Sequence, residues 1–214
     1  MSIYTQETGA MLPVRPITKW QNIVRSFVSW RQPSFLTMQL PEIIETERLL
    51  IRPFRSADLP SFLDFMLDEM ATEYLTFTEE QKTEEGAKAL FWQVIESYRT
   101  GEPIPALAIV DKETGLFMGS CGVSPLDEVG VIECYYSLLP KYWGMGFATE
   151  ASKALVGYYI RQEEVRAVRA FVSPSNPRSI HVAERIGMQA LGEGRHPFSG
   201  LEGLVYEMRG NDGG

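Results

Sequence analysis

Cysteine and histidine are both scarce in this chain, which has two of each among its 214 residues. None of them forms a pair at the spacing that metal ligands use, so we expect no metal site. Two cysteines are also too few for the disulfide framework of a small secreted domain. We therefore predict that Cys121 and Cys134 stay reduced and that the protein is cytoplasmic.

Positive charge is in deficit as well. The chain carries 20 lysine and arginine residues against 28 aspartate and glutamate residues, which gives a formal net charge of −8 at pH 7. This balance argues against a general nucleic-acid-binding surface. An acidic surface attracts cationic substrates such as amines, but it serves solubility equally well. Long apolar runs are missing too, and we expect neither a transmembrane helix nor a secretory signal.

Residues 1–44 are predicted to form an N-terminal arm that differs in composition from the rest. Residues 1–40 hold four basic side chains and one acidic side chain, and apolar residues recur between Ile17 and Trp30 at helical spacing. This pattern predicts a short amphipathic helix. We expect the helix to pack on its own domain or on a partner subunit of a homodimer. The alternative is a mobile arm or one that touches a membrane surface.

Residues 45–210 are predicted to form one domain of alternating strands and helices. Short, turn-rich links favour antiparallel pairing of three consecutive strands, and a helical crossover then favours one parallel pair. Thr78 and Gln81 have the spacing of a capping box at the start of the second helix. The class is α+β, with a mixed, mostly antiparallel sheet of six or seven strands and helices on both faces. The pattern places helices at 57–67, 78–98, 148–161 and 176–186, and strands at 49–54, 106–111, 117–124, 131–138, 167–172, 189–195 and 204–209.

A turn with two glycines links the predicted strand at 131–138 to the helix that follows it. Gly144 and Gly146 lack a Cβ atom, so backbone N–H groups can approach a bound group closely. The first N–H groups of the next helix also lack intrahelical acceptors, which makes the turn a candidate phosphate or pyrophosphate site. A plain structural turn would use the same glycines. The residues match neither the nucleotide P-loop nor the dinucleotide fingerprint.

The run LLPKYWGMGFATEA at residues 138–151 resembles the acetyl-CoA-binding motif of the GNAT superfamily of N-acetyltransferases. In that motif a Gln or Arg is followed three and five places later by small residues, which here are Gly146 and Ala148. Trp143 replaces the Gln or Arg, a form typical of the branch that contains the ribosomal-protein-alanine N-acetyltransferases. Three further segments resemble the same branch: TERLLIRPF at 46–54, NPRSI at 176–180 and IGM at 186–188.

The resemblance implies a GNAT fold that binds acetyl-CoA. In this superfamily two parallel strands splay apart, the first of them pairs with the pantetheine arm, and the glycine turn holds the pyrophosphate. Helix capping is the alternative role of Asn176 and Ser179. The cofactor-binding residues implied here are Tyr136, Ser137, Leu138, Trp143, Gly144, Met145, Gly146, Phe147, Ala148, Thr149, Asn176 and Ser179.

The resemblance also implies a base for the attacking amine and a donor for the oxyanion. Glu133 resembles the strand glutamate that many relatives use as base; its alternative role is that of an exposed carboxylate or a member of an ion pair. A backbone N–H near Tyr135 is the implied oxyanion donor. Strand alternation predicts Glu133, Tyr135 and Ser137 on one face of the sheet and Cys134 and Tyr136 on the other.

The acid that protonates the departing thiolate is missing from its usual place. Relatives carry a tyrosine seven places after the asparagine of the last motif, and that position is Ala183 here. Ser179 is our catalytic candidate, with Cys134, Tyr136, a water molecule or the ammonium product as alternatives. Glu150 is a further catalytic candidate, although a carboxylate at a helix start also stabilises the helix dipole.

The acceptor is implied only by the branch that the sequence resembles. That branch suggests a protein N-terminal amine, with a small amine or an amino sugar as alternatives. We expect the early helices, Tyr74, Phe77 and the loop at 197–203 to form the acceptor site. Two other classes of function stay open: a non-catalytic acyl-CoA-binding module, which the missing tyrosine suggests, and an interaction protein whose active surface is the basic arm.

Overall fold

The structure, a computed structural model, describes residues 39–100 and 103–210. The predicted amphipathic helix of the N-terminal arm lies outside the described residues. The described helices are α1 Leu59–Leu67, α2 Glu69–Thr72, α3 Glu84–Ser97, α4 Phe147–Tyr159 and α5 Pro177–Arg185. The described strands are β1 Ile44–Glu45, β2 Leu49–Pro53, β3 Ala106–Asp111, β4 Phe117–Pro125, β5 Val131–Leu138, β6 Ala167–Val172, β7 Gln189–Arg195 and β8 Glu202–Arg209.

Within these ranges the strands form one eight-stranded sheet in the order β1-β2-β3-β4-β5-β6-β8-β7. β5 and β6 pair in parallel, and the other neighbours pair antiparallel. The predicted α+β class is therefore confirmed, but the sheet has eight strands rather than six or seven. The extra strand, β1, has two residues, which is too few for a periodic pattern to reveal it.

The parallel pair β5 and β6 separates part-way along its length. The register joins the two strands as far as Glu133, which lies opposite Arg169. Beyond this point β5 continues to Leu138 and β6 continues to Val172 without pairing to each other. Backbone hydrogen-bonding groups along this stretch therefore face a gap, and such a gap can accept an extended ligand as an additional strand.

Helices cover both faces of this sheet. α4 and α5 pack on one face, where Leu155, Tyr159 and Val182 join the apolar strand residues of the larger core. α1 and α3 pack on the other face, and burial of each aromatic ring there stabilises the fold by roughly 1.5–3 kcal/mol. The gap between β5 and β6 thus opens within a sheet that is packed on both faces. The rings of the second core are Phe54, Phe62, Phe65, Phe91 and Phe117.

Helix α3 begins later than the sequence predicts. Thr78 and Gln81 do form the reciprocal bonds of a capping box: the Thr78 N–H donates to Gln81 Oε1 at 3.0 Å, and the Gln81 N–H donates to Thr78 Oγ1 at 3.2 Å. They close a separate turn, however, and α3 starts at Glu84 with Thr83 as its N-cap. Thr83 is extended, at φ −86° and ψ 159°, so one helix cannot run through it. The predicted start at residue 78 is wrong.

The two cysteines are both free, with Cys121 in β4 and Cys134 in β5. Within the described ranges, no helix combines the length and the apolar character that crossing a bilayer requires. The same ranges contain no group of three or more His, Cys, Asp or Glu side chains arranged to hold a metal ion.

Candidate active site

The glycine turn between β5 and α4 presents a row of free backbone N–H groups. Gly144 and Gly146 have φ values of +76° and +81°, which favour glycine over any other residue. Gly146 is the N-cap of α4 without a side-chain cap, and the first helical bond runs from the Glu150 N–H to Gly146 O at 3.0 Å. Within the described residues, the N–H groups of residues 144–149 have no protein acceptor. Such a row of N–H groups at a helix start is suited to an anion.

A hydrogen-bonded clamp ties this turn to the beginning of the domain. One carboxylate oxygen of Glu150 accepts from Thr46 Oγ1 at 2.7 Å and from the Arg48 N–H at 2.9 Å, and the other accepts from Arg48 Nε at 2.7 Å. Arg48 also donates to Met145 O at 3.0 Å and lies 4.3 Å from the centre of the Phe147 ring. Burial raises the pKa of Glu150, but the bonds from Thr46 and Arg48 outweigh it and the pKa is lowered. Glu150 is thus a structural anchor with both oxygens engaged.

Trp143 links the turn to two neighbouring elements. Its indole N–H donates to Leu138 O, the last residue of β5, at 2.7 Å. The guanidinium of Arg178, in the first turn of α5, lies 4.3 Å from the centre of the tryptophan ring, within cation–π distance. The family motif usually has a Gln or Arg where Trp143 stands. Here a guanidinium from α5 lies over the tryptophan ring instead.

A cavity of about 350 Å³ lies between the glycine turn, α5 and the gap that separates β5 from β6. Tyr135, a predicted catalytic residue, lines it, whereas Glu133 does not. Of the predicted cofactor-binding residues only Met145, which is 56% exposed to solvent, is absent from its wall. The predicted residues that line the cavity are Tyr136, Ser137, Leu138, Trp143, Gly144, Gly146, Phe147, Ala148, Thr149, Asn176 and Ser179.

Two hydroxyl groups meet on the α5 side of this cavity. Tyr136 Oη donates to Ser179 Oγ at 3.1 Å. Burial raises the pKa of Tyr136 to about 12, although the bond to Ser179 opposes the shift, so the phenol keeps its proton at neutral pH. Asn176 caps α5, since its Oδ1 accepts the Ser179 N–H at 3.2 Å. The capping role considered for Asn176 is therefore present alongside its position in the cavity wall.

Cys134 also lines the cavity, on the same strand face as Tyr136. Burial raises the pKa of its thiol to about 12, and the nearby charge of Glu133 adds to this shift. A thiol with such a pKa carries almost no thiolate at neutral pH. Cys134 is therefore a poor nucleophile in this environment.

Tyr135 and Ser137 point to the opposite face, as alternation along β5 predicts. Ser137 Oγ donates to Ala71 O in α2. The Tyr135 ring crosses β4 at Gly122, where a Cβ atom would lie 2.4 Å from Tyr135 Oη. Burial raises the pKa of Tyr135 well above its ordinary value, which keeps the phenol neutral. The tyrosine side chain thus fixes the strand beside the gap.

Glu133 lies at the last paired position before β5 and β6 separate. Its Oε2 lies 2.7 Å from Nε2 of His196, and among the described residues no lysine or arginine forms an ion pair with this carboxylate. His196 directly follows β7 and contacts the edge of the Phe171 ring, with 4.7 Å between ring centres. Phe171 in turn lines the cavity. The contact gives Glu133 a polar partner, as its alternative role in an ion pair predicts, although that partner is a histidine.

The predicted acceptor residues separate into two groups. Tyr74 lines the cavity and donates from its hydroxyl to Ser175 O at 3.1 Å. Phe77 does not line it and instead packs, partly buried, against the phenylalanine core under α1 and α3, so its acceptor role stays a prediction. Phe198 and Leu201, in the predicted loop, are 53% and 58% exposed.

Sequence reasoning missed three residues at this site: Arg48, Arg178 and His196. Each is a side chain whose partner lies in a different element, so no local period reveals the contact. Arg48 lies in the motif TERLLIRPF, and Arg178 lies in NPRSI beside Ser179. His196 had one available signal, namely that the chain contains only two histidines.

The family model described as "Acetyltransferase (GNAT) domain" matches residues 48–189, which contain the gap, the glycine turn and α5. The chain belongs to this family. The membership predicted from the sequence is confirmed, and this GNAT protein is an acetyltransferase.

Relatives and solved structures agree with this membership. The chain is 28% identical over 152 residues to "Uncharacterized N-acetyltransferase p20" of Bacillus licheniformis, a match that covers 71% of this chain and 84% of the relative. The ribosomal-protein-S5-alanine acetyltransferase structure from Vibrio fischeri has a TM-score of 0.62 at 18% identity and covers 79% of this chain and 97% of its own. RimL, a ribosomal L7/L12 alpha-N-protein acetyltransferase solved with coenzyme A, has a TM-score of 0.62 at 18% identity and covers 78% and 98%. These two structures share the fold.

Proposed function

We propose that this GNAT acetyltransferase transfers the acetyl group of acetyl-CoA to a primary amine by direct attack, in the cytoplasm. One observation carries the proposal: the free N–H row at residues 144–149 and the gap between β5 and β6 open into a single cavity. A ligand with a pyrophosphate at one end and a reactive group at the other can span both features. Holding that ligand and an amine together removes much of the entropic barrier to a bimolecular reaction.

The residues present fit acetyl-CoA. The N–H groups at residues 144–149 would hold the pyrophosphate, and a Cβ atom on Gly144 would meet no atom within 4 Å, so the turn is open to a ligand. Arg178 is suited to add positive charge near the phosphates. The unpaired edge of β5 would receive the pantetheine arm as an extra strand. When bound, acetyl-CoA supplies an activated thioester carbonyl.

On the amine side, Glu133 is the proposed base. It accepts a proton from the attacking nitrogen directly or through one water molecule, because an amine attacks only when it is unprotonated. A backbone N–H near Tyr135 donates to the oxygen that becomes negative during attack. Both residues lie on β5 at the start of the gap, with their side chains on the α1–α3 face.

On the thiol side, Ser179 is the proposed acid. Its hydroxyl accepts from protonated Tyr136 and keeps its own hydrogen available for the departing thiolate. Ser179 thus takes the role that the tyrosine replaced by Ala183 performs in relatives. Cys134 remains a thiol, which supports direct transfer over a covalent acyl-cysteine.

A protein N-terminus is the proposed acceptor. Exposed apolar side chains lie in the cavity wall and in the loop that carries His196, and they suit the first residues of a polypeptide better than a small polar amine. Two neighbours of the same fold are named as ribosomal-protein acetyltransferases. The exposed apolar side chains are Met70, Phe198 and Leu201.

A homodimer in which the arm contacts the partner stays our prediction for the assembly, which light scattering can measure.

The decisive experiment measures free thiol released from acetyl-CoA with a panel of amines. The panel contains peptides with varied N-terminal residues, polyamines and amino sugars. Each peptide has a matched control that is already acetylated at its N-terminus, which removes only the reacting amine. We expect release with free peptides and background release with their blocked partners. Equal release from both would refute an N-terminal acceptor, and tight acetyl-CoA binding with no release across the panel would refute catalysis.

A further inference from the structure

The contact between Glu133 and His196 joins two segments that are 63 residues apart in the chain. Glu133 lies in β5, where the gap begins, and His196 lies in the loop 196–201 between β7 and β8. The distance between Glu133 Oε2 and His196 Nε2 is 2.7 Å, and the two side chains are 22% and 13% exposed. The pair is therefore largely shielded from water. A shielded hydrogen bond holds its geometry better than one on the surface.

The loop itself determines which ring nitrogen of His196 carries the proton. His196 Nδ1 accepts the Ser199 N–H at 3.0 Å and lies 3.3 Å from the Phe198 N–H donor. A nitrogen that accepts cannot also carry a hydrogen, so the proton of the neutral ring is on Nε2. Nε2 consequently donates to Glu133. Both ring nitrogens are thus engaged, and His196 is a donor to the base rather than a base itself.

The ring of His196 is also held in place by its surroundings. Its backbone N–H donates to Leu201 O at 2.8 Å, and its carbonyl accepts the Gly200 N–H at 2.9 Å, which closes the loop. The Phe171 ring packs against the imidazole, and the planes of the two rings make an angle of 71°. Only small rotations of the histidine are compatible with these contacts.

The second carboxylate oxygen of Glu133, Oε1, has no hydrogen-bond partner among the described residues. One oxygen is thus bound and the other is free. This arrangement suits a base that must present a single lone pair in a fixed direction, because a carboxylate that rotates freely is in the reactive orientation for only part of the time.

We propose that His196 is a positioning residue for the acetyl transfer: it holds Glu133 Oε2 so that Oε1 takes the proton of the attacking amine. The proposal rests on the proposed role of Glu133 as base. In the step, the N–H bond of the amine breaks and an O–H bond forms at Oε1, while a C–N bond replaces the C–S bond and sulfur leaves with the electron pair. His196 keeps its proton throughout.

A double-mutant cycle tests the proposal. Glu133→Gln removes the base, His196→Phe keeps an aromatic ring against Phe171 but removes the donor, and His196→Gln keeps a donor. We expect His196→Phe to lower kcat about tenfold, which corresponds to the loss of one hydrogen bond to a charged group, with KM for acetyl-CoA unchanged. His196→Gln should restore most of the loss. In the Glu133→Gln background, His196→Phe should have no further effect.

The outcomes of the cycle distinguish failure of the positioning role from failure of the proposed base. If Glu133→Gln lowers kcat but His196→Phe does not, the positioning role is refuted and the base stands. If the two losses multiply in the double variant, His196 acts independently of Glu133 and the proposal is refuted. If Glu133→Gln retains full kcat, both the base and its positioning residue are refuted. Thermal melting and calorimetric acetyl-CoA binding confirm that each variant is folded.

A spectroscopic measurement covers the case in which His196→Phe fails to fold. Long-range ¹H–¹⁵N spectra of the intact protein report which ring nitrogen carries the proton. The chain has two histidines, so a His181→Gln variant assigns the signals. We expect the Nε2–H form for His196 and a shift of its Nε2 signal in Glu133→Gln. The Nδ1–H form, or an unchanged Nε2 signal, would refute the contact on which the proposal depends.

Discussion

The two halves of the site are built in different ways. The cofactor half comprises residues 136–149 with the first turn of α5, and its anion donors are backbone N–H groups from one continuous stretch. The acceptor half comprises Glu133, Tyr135, Phe171 and the loop 196–201, and its proposed chemistry depends on side chains from three separate parts of the chain.

This difference determines which side chains of each half can be substituted without loss of its role. Backbone N–H groups are present whatever the side chains, so the cofactor half needs mainly glycine at two positions of left-handed φ. Side chains on loops can change without disturbing the fold. We therefore expect the acceptor half to set the substrate, while the cofactor half keeps one ligand across relatives with different acceptors.

Gly146→Val is the substitution that we expect to weaken cofactor binding most. A β-branched residue is an outlier at φ +81°, so the turn must rotate and its N–H groups leave their directions. Loss of two charge-assisted hydrogen bonds, each about 1.5–3 kcal/mol, should weaken acetyl-CoA binding by more than about 100-fold in calorimetry. Gly115→Val is the matched control, because Gly115 has φ +71° and open space around it in the β3–β4 turn. Unchanged affinity in Gly146→Val would show that the turn does not hold the cofactor.

Ser179→Ala should separate chemistry from binding within the cofactor half. If Ser179 protonates the thiolate, kcat falls by about 100-fold, the low end for acid catalysis, since a thiolate is a good leaving group. Tyr136→Phe removes only the donor to Ser179 and should lower kcat about tenfold. Acetyl-CoA affinity, measured in parallel, should change little. Tyr158→Phe, on the adjacent helix α4, is a control that should match wild type. A normal kcat for Ser179→Ala would transfer the acid role to water or to the ammonium product.

Arg178→Ala tests whether a side chain supports the backbone donors. Removing the guanidinium above Trp143 should raise KM for acetyl-CoA about fivefold at low salt, consistent with roughly 1 kcal/mol for one partly exposed charge. The difference from wild type should shrink as salt is added, because salt screens exposed charges. Arg161→Ala removes an equal charge outside the cavity wall and serves as control. A defect that persists unchanged at high salt would instead indicate a packing role on Trp143.

Glu150→Gln should have the smallest effect, on stability rather than on turnover. The folded-state pKa of Glu150 is lowered from the ordinary 4.5, so its contribution is present above that value and is lost as pH falls through the lowered pKa. We expect a melting temperature lower than wild type by about 2–4 °C at neutral pH, and a difference that disappears in acid. Glu163→Gln, at an exposed position, provides the matched charge change. An equal gap at both pH values would mean that the charge of Glu150 does not support the clamp.

Much of the fold could be predicted because its elements carry strong local patterns. Strands β3, β5, β6 and β7 have the predicted bounds, since turns or loops close each of them on both sides. The start of α3 could not be predicted, because Thr78 and Thr83 are both good caps and the extended backbone of Thr83 decides between them. At the site, the predicted cofactor-binding residues other than Met145 line one cavity and their role stays a prediction, whereas the histidine partner of Glu133 could not be predicted.

The sequence by itself determined the glycine turn, the capped helices and the family, because each of these depends on residues that are neighbours in the chain. Only the tertiary structure decided that Glu150 anchors Arg48, that Arg178 covers Trp143 and that His196 reaches Glu133. The physical reason is that a side-chain hydrogen bond or ring contact forms at a few ångströms, and the chain separation of the two partners leaves no trace in local composition. The order of the strands, and not any motif, brings the loop 196–201 back to the start of the gap.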